Sequence, residues 1–276
     1  MQRIKILPEA CYEFIPLSRE DLKCAMKNNK TVTGFVTKID NDKNIIEVKF
    51  ADNVYAILPF DEASIYHLEG FFFTAGLVLD YLINHTIRVK VTYASDDESE
   101  EIYVSRKKSM EEALKYLSDC SSAYCHILQI FKKYAFCDIG CGIRGFVKQR
   151  DVCRARIDDI AEIMSENSFK WMNIIKENNS SFYMSYRTTF RPYSTKFYHP
   201  GDKLKVTVNK PLDNPAQDES SVGYFVSVTP QVVGIVDIPA NQSLPEYGQT
   251  IICEVKSATA AGLKLRYLYE LPEAVL

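Results

Sequence analysis

A pair of short β-strand patterns joined by a glycine-containing bend occurs twice in the chain, and this repetition constrains the fold more than any other feature. The first copy runs from Tyr134 to Val147 with Gly140 and Gly142 at its bend, and a weaker copy spans residues 223–237. Internal repeats are examined first because each copy then predicts the same local structure. We therefore expect an array of small, similar β units.

Three successive segments each contain five short strand patterns, which are rich in β-branched and aromatic residues and are bounded by turn residues. In the first segment these are 31–39, 45–50, 53–60, 87–93 and 101–105. In the second segment they are 124–132, 134–139, 143–147, 169–176 and 181–186. In the third segment they are 203–209, 223–229, 232–238, 250–256 and 262–267. Five short strands are the count of an OB-type barrel.

The predicted fold class is therefore all-β with short helices, arranged as three tandem five-stranded OB-fold barrels. A chain of 276 residues has the length of two or three ordinary domains. The predicted boundaries are residues 1–28 for an N-terminal extension with a short helix, and 29–118, 119–192 and 193–276 for the three barrels.

Three short helices are expected between the strands. Ser18 is placed to cap a helix that ends near Asn28, with acidic residues in its first turn. Residues 109–112 form a capping box that starts a second helix. The spacing of apolar residues predicts a third helix over 154–166.

The composition is that of a soluble, cytoplasmic protein rather than a membrane protein. Glu9, Glu13 and Pro8 interrupt the region where a secretory signal would be apolar. The longest apolar stretch, residues 70–83, has 14 residues and is too short to span a bilayer. The net charge of −3 requires any nucleic-acid site to be a local basic patch.

No metal, cofactor or catalytic site is predicted. Five of the eight cysteines lie between residues 120 and 153, but no Cys-x-x-Cys spacing occurs and His126 is the one imidazole nearby, so reduced thiols are expected. The four histidines lack metalloprotease spacing, and the chain has no P-loop motif. Gly140-Cys141-Gly142 lacks the third glycine of a dinucleotide site. We therefore expect a protein that is not an enzyme.

Short motifs in the same order in all three segments resemble the RNA-binding domain family named after ribosomal protein S-one. The second segment carries Phe136-Cys137-Asp138-Ile139, Gly145-Phe146-Val147 and Met184-Ser185-Tyr186-Arg187. The third carries Gly223-Tyr224-Phe225-Val226, Gly234-Ile235-Val236 and Leu263-Lys264-Leu265-Arg266, and the first carries Ile57-Leu58-Pro59-Phe60-Asp61-Glu62 and Val104-Ser105-Arg106-Lys107. The resemblance covers the chain from about residue 28 onward. It implies OB-fold modules that bind single-stranded RNA, with the ribosome or RNA-processing proteins as further partners, in translation or RNA handling in a bacterial or phage-like cytoplasm.

The resemblance also implies where RNA would bind, because the family uses aromatic residues on its second and third strands and a basic residue or His after the third. Phe136 and Phe225 occupy the strand-two aromatic position in the second and third segments, whereas Ile46 occupies it in the first. The residue after strand three is Lys148 in the second segment, Asp237 in the third and Pro59 in the first. The second segment is therefore the favoured RNA site.

Two features of residue type support that site. Residues 144–156 carry five cations, and residues 182–199 carry seven aromatic rings and no acidic residue. Cations neutralise phosphates and exposed rings stack on bases. The predicted RNA-binding residues are Tyr134, Phe136, Arg144, Phe146, Lys148, Arg150, Arg187, Arg191, Tyr224 and Phe225.

Other interpretations of the same residues stay open. The basic run is also consistent with a solvated surface on which Arg154 and Arg156 pair with Asp158 and Asp159, and the aromatic segment with a connector that packs two barrels together. Residues 71–73, three consecutive phenylalanines, favour a buried plug over a partner-binding patch. The whole chain is alternatively a protein-interaction scaffold of barrels that no longer bind RNA, or an accessory part of a nuclease.

Overall fold

The structure is a computed structural model that describes residues 6–66, 82–97, 99–178, 181–189, 197–212, 221–239, 241–259 and 262–270. The first five strands are β1 Thr31–Asp40, β2 Ile45–Ala51, β3 Val54–Pro59, β4 Thr86–Tyr93 and β5 Ile102–Ser105. The next five are β6 Ser122–Phe131, β7 Tyr134–Asp138, β8 Arg144–Lys148, β9 Phe169–Asn178 and β10 Ser181–Ser185. The last five are β11 Lys203–Pro211, β12 Ser221–Thr229, β13 Val232–Pro239, β14 Thr250–Thr259 and β15 Gly262–Glu270.

These strands close into three barrels that share one strand order. The orders are β1-β2-β3-β5-β4, β6-β7-β8-β10-β9 read from its first strand, and β11-β12-β13-β15-β14. The third and fifth strands run parallel in the first and third barrels, where β3 pairs with β5 and β13 with β15. The predicted fold class of three tandem five-stranded barrels with short helices is confirmed.

Alternation along the strands places each core inside its barrel. In β2, Ile46, Val48 and Phe50 are fully buried, while Glu47 and Lys49 between them are partly exposed. The side-chain period of two in a strand produces this pattern, so one face of every strand is committed to the core. The inward position of Ile46 means that it is not on the outer wall of the first barrel.

Two α-helices accompany the barrels in the described residues, α1 Arg19–Lys27 and α2 Arg106–Leu117. Ser18 caps α1, as predicted, and forms a capping box with Asp21. The predicted start of α2 at Ser109 is wrong: Ser105 is its N-cap and accepts a hydrogen bond from the Lys108 backbone N–H at 3.0 Å. Ser109 lies inside the helix and donates to the carbonyl of Arg106 at 2.7 Å.

The helix predicted over 154–166 is also wrong, because only a 3-10 turn at Ile160–Glu162 forms there. The backbone N–H groups of Arg154 and Ala155 donate to the carbonyl of Pro230 at 3.0 and 2.9 Å. Inside the segment, the Ile157 carbonyl accepts from Gln149 Nε2 at 2.7 Å and the Ala161 backbone N–H donates to Asp159 Oδ1 at 2.9 Å. These two backbone groups would pair with each other in an α-helix, so the helix does not form.

The chain divides into two compact units. One comprises residues 1–129, 136–146 and 166–184, and the other comprises 130–135, 147–165 and 185–276. The domain boundaries expected from the sequence stay a prediction. Among the described residues, no helix combines the length and apolar character needed to cross a membrane. The three phenylalanines at 71–73 lie outside the described residues.

Candidate nucleic-acid interface

A tight turn joins β7 to β8 and is organised by the buried carboxylate of Asp138. Asp138 Oδ1 accepts hydrogen bonds from the backbone N–H groups of Gly140 and Gly142 at 2.8 and 3.0 Å. Gly140, Cys141 and Gly142 all have positive φ, of 145°, 51° and 80°. Glycine adopts such angles readily, and a carboxylate that accepts successive N–H groups holds them in place. The turn reverses the chain between β7 and β8, which are neighbouring strands.

A buried polar network fastens this turn to the N-terminal segment. The Glu9 backbone N–H donates to Asp138 Oδ2 at 2.6 Å. The Glu9 carboxylate accepts hydrogen bonds from Nε and Nη2 of Arg106 at 2.8 and 2.6 Å. Arg106 is only 2% exposed. Burial, and then the nearby Glu9 carboxylate, raises the pKa of Asp138 to about 7. Bidentate pairing satisfies the buried guanidinium, so the turn is held in one position.

Three aromatic rings from β7, β8 and β10 form a continuous run on the outside of the second barrel. The ring centroids of Phe136 and Phe146 are 5.5 Å apart, and those of Phe146 and Tyr183 are also 5.5 Å apart in an edge-to-face arrangement. All three side chains are partly exposed, whereas their strand neighbours Ala135, Cys137, Gly145, Val147, Phe182 and Met184 are buried. We call the three rings the aromatic face.

Tyr66 positions the ends of two strands that carry this face. The backbone N–H of Arg144, the first residue of β8, donates to the Tyr66 hydroxyl at 2.8 Å, and the Arg144 guanidinium carbon lies 4.2 Å from the Tyr66 ring centroid. The same hydroxyl is hydrogen-bonded to the side chain of Ser181, the first residue of β10. Burial raises the pKa of Tyr66 to about 12, so the phenol stays neutral. Arg144 is thereby held beside the aromatic face.

The remaining predicted residues of β7 and β8 are also partly exposed. Lys148 alternates with Arg144 and Phe146 along β8, so all three project from the same side of that strand. Tyr134 is at the start of β7, and its ring stacks on Phe131 with centroids 4.6 Å apart. These positions agree with an outward orientation of the predicted residues.

The other predicted cations have different surroundings. Arg150 is exposed, with its Nε 3.7 Å from the Asp151 carboxylate. Arg187 is exposed in a 3-10 turn, Arg187–Thr189, that follows β10. Arg156 lies 3.9 Å from Asp158, which is the pairing expected of a solvated surface. Arg191 lies outside the described residues.

In the third barrel, one of the two predicted aromatic residues is inaccessible. Tyr224 is 7% exposed and belongs to the barrel core, so the prediction that it stacks on RNA is corrected. The pairing of β12 with β13 explains this, because Tyr224 is opposite Val236, which is fully buried. Phe225 faces outward opposite Ile235, and Lys210 Nζ is 5.7 Å from its ring centroid.

Sequence reasoning missed two residues of the site. Tyr183 was detectable, since alternation in β10 turns it outward once Phe182 and Met184 are assigned to the core. No sequence pattern indicated that Tyr66 belongs to the site, because it is 78 residues from Arg144 in the chain. All eight cysteines are free, and the described residues contain no group of three or more His, Cys, Asp or Glu side chains that could hold a metal ion.

No protein-family model and no curated protein sequence matches the chain. Among solved structures, it is similar to a chain of an a/eIF2alpha-aDim2p-rRNA complex from Pyrococcus horikoshii OT3, at 15% identity and a TM-score of 0.25, over 25% of this chain and 44% of that one. A multidomain protein with nucleic acid binding domains from Streptococcus pneumoniae TIGR4 matches at 10% identity and a TM-score of 0.20, over 89% and 76% of the two chains. Drosophila Unr CSD456 matches at 14% identity and a TM-score of 0.20, over 88% and 98%.

Proposed function

We propose that the chain binds single-stranded RNA through the second barrel. Phe136, Phe146 and Tyr183 would stack on successive bases, and Arg144 and Lys148 would contact the phosphates between them. The observation that carries the proposal is the run of three partly exposed rings on neighbouring strands. Aromatic rings on the wall of an OB-type barrel are suited to unpaired bases, since every base has a flat face.

The charge distribution supports a local site and not a general one. The net charge of the chain is −3, but residues 144–156 hold five cations and one acid, Asp151. Few ion contacts release few counterions, so the affinity should be modest and should fall with salt. A second barrel that also binds RNA would raise the affinity of the chain through effective concentration.

The finer assignment rests on the motif resemblance to the ribosomal protein S-one family. From this resemblance we infer that the ligand is RNA and that the chain acts in translation or RNA handling. We also infer that its further partners are the ribosome or RNA-processing proteins. In this proposal the chain is not an enzyme, and it acts by binding in the cytoplasm.

Fluorescence anisotropy with labelled oligo-U at two salt concentrations tests the proposal. Phe146 is the central ring, and one stacked base is worth about 1–3 kcal/mol, so Phe146→Ala should weaken binding roughly 5- to 150-fold. Tyr269→Ala is the matched control, because Tyr269 is 52% exposed on β15 of the third barrel. Absence of binding, or binding that ignores both salt and Phe146→Ala, would refute the RNA site.

One observation favours a second candidate, a protein-interaction scaffold. On the outer wall of the third barrel, Asp237 is exposed and Ile235 is 36% exposed, beside Phe225. A carboxylate at this position repels phosphate. This candidate predicts no salt-dependent binding of oligo-U by the chain, so the same titration separates the two functions.

A further inference from the structure

The strands β6 and β9 carry a second set of stacked rings on the outside of the second barrel. Tyr124 pairs with Trp171 across the strands, and His126 pairs with Phe169. The ring centroids of Tyr124 and Phe169 are 5.6 Å apart at an interplanar angle of 17°, and those of His126 and Phe169 are 4.6 Å apart at 14°. Tyr124 and Trp171 are 5.4 Å apart at 45°. We call these four residues the β6–β9 ladder.

The ladder is buried at one end and open at the other. His126 is 8% exposed, and burial, followed by the nearby His85, lowers its pKa, which keeps the ring neutral at neutral pH. At the open end Trp171 is 49% exposed, and Ile175 farther along β9 is 54% exposed. A half-exposed tryptophan in contact with a stack of rings is a rigid surface on which a flat ligand can stack.

These two strands carry few charged residues. β6 contains no charged residue, and β9 contains Lys170, Lys176 and the exposed Glu177. Lys176 is exposed and Lys170 is partly exposed. Lys170 pairs with the fully buried Cys125, so it lies on the other face of β9 from Trp171. The contact that this surface offers a ligand is therefore stacking on a flat ring, and every unpaired base has a flat face.

We propose that Trp171, supported by Tyr124, is a second base-stacking platform for single-stranded RNA. The proposal rests on the proposed function, because it assigns a further contact to the same ligand class. The ladder lies on β6 and β9, the two strands of this barrel that do not carry the aromatic face. Single-strand sites on OB folds span about 4–16 nucleotides, so a longer strand can contact both surfaces.

Trp171 is the only tryptophan of the chain, so intrinsic fluorescence reports on this platform alone. Unlabelled oligo-U of about 4 and about 16 nucleotides is titrated into the full chain, and tryptophan emission is followed. The longer oligonucleotide should quench the emission with the same midpoint as the anisotropy of a labelled copy. The shorter one, bound at the aromatic face, should quench it less.

Variants then separate a stacking contact from other causes of quenching. Trp171→Ala should weaken binding of the longer oligonucleotide about 5- to 150-fold by anisotropy, and Trp171→Phe should restore most of the affinity because it keeps a flat ring. Ile175→Ala, which removes an exposed apolar side chain from the same strand, should have little effect. Thermal unfolding followed by circular dichroism verifies that each variant is folded.

The outcomes distinguish this proposal from the proposed function. Binding by anisotropy with unchanged tryptophan emission and undiminished affinity of Trp171→Ala would overturn the second platform and leave the aromatic face intact. Emission that responds to a protein partner and not to RNA would overturn it in favour of a protein-docking surface. Absence of any oligo-U binding would overturn both.

Discussion

The guanidinium carbon of Arg144 lies 4.2 Å from the centroid of the Tyr66 ring, while the Arg144 backbone N–H donates to the Tyr66 hydroxyl at 2.8 Å. The two residues are 78 positions apart in the sequence. Tyr66 therefore holds both the backbone and the charged group of Arg144. A cation held in this way loses less side-chain entropy when it meets a phosphate than a freely rotating one.

The salt dependence of RNA affinity should reveal the Arg144 contact. Removing one phosphate contact from single-stranded nucleic acid lowers the slope of log affinity against log salt by about 0.7. We expect this change for Arg144→Ala and a largely retained slope for Arg144→Lys. Arg266→Ala is the control, since Arg266 lies on β15 of the third barrel and pairs with Glu254. An unchanged slope for Arg144→Ala would exclude Arg144 from the interface.

Replacing Gly142 should destabilise the unit that contains the β7–β8 turn. A Cβ at Gly142 would lie 1.9 Å from Nη2 of Arg106, and the residue has a φ of 80°. Gly142→Ala must therefore disturb the buried Arg106–Glu9 pair, and breaking such a pair costs about 3–5 kcal/mol. Urea unfolding followed by circular dichroism measures the loss.

Gly248→Ala separates the energetic cost of the contact with Arg106 from the cost of the backbone conformation. Gly248 has a nearly equal φ of 83°, but nothing lies within 4 Å of a Cβ placed there. Its replacement should cost only the conformational penalty of about 1–2 kcal/mol. Equal losses for the two variants would show that the Arg106 contact contributes nothing to stability.

The buried carboxylate of Asp138 should make stability depend on pH between about 4 and 7. Its pKa rises from 3.8 to about 7 on folding, chiefly through burial, so the folded state binds the proton more tightly than the unfolded chain. The resulting stabilisation is complete below pH 3.8 and is lost as the pH rises through about 7. His126 acts in the opposite direction, because its pKa is lowered.

A comparison with Asp138→Asn isolates this contribution. The free energy of unfolding of each protein is measured in urea at several pH values, and the difference between them is plotted. Loss of the Asp138 carboxyl should remove the decline between pH 4 and 7, although the variant also loses part of the hydrogen bonding of the turn. Identical pH profiles would mean that Asp138 titrates in the folded state as it does in the unfolded chain.

The strand positions could be predicted from sequence because alternation and turn residues are local properties. The same local evidence could not decide which of two adjacent rings faces inward: Tyr224 is buried and Phe225 is not, since Tyr224 is paired with the buried Val236. The start of α2 also depends on a residue that is distant in the chain. With Ser105 and not Ser109 as the N-cap, Arg106 lies where its side chain reaches Glu9, 97 residues earlier.

For the candidate site too, local features could be predicted from sequence and tertiary contacts could not. The outward positions of Phe136 and Phe146 follow from the period of two in β7 and β8. Their contact depends on the turn held by Asp138, and the position of Arg144 depends on Tyr66, which are tertiary relationships. The predicted helix over 154–166 failed because the Ile157 carbonyl and the Ala161 backbone N–H, which would pair in a helix, bond to the side chains of Gln149 and Asp159.

Photo-crosslinking tests most directly the claim that the second barrel is the RNA-binding part of the chain. Oligo-U containing 4-thiouridine is bound to the full chain, irradiated, and the attached peptides are identified by mass spectrometry. Crosslinks should concentrate in peptides that contain Phe136, Phe146 or Tyr183, and should decrease at high salt. Crosslinks confined to residues 31–105 or 203–270 would contradict the account.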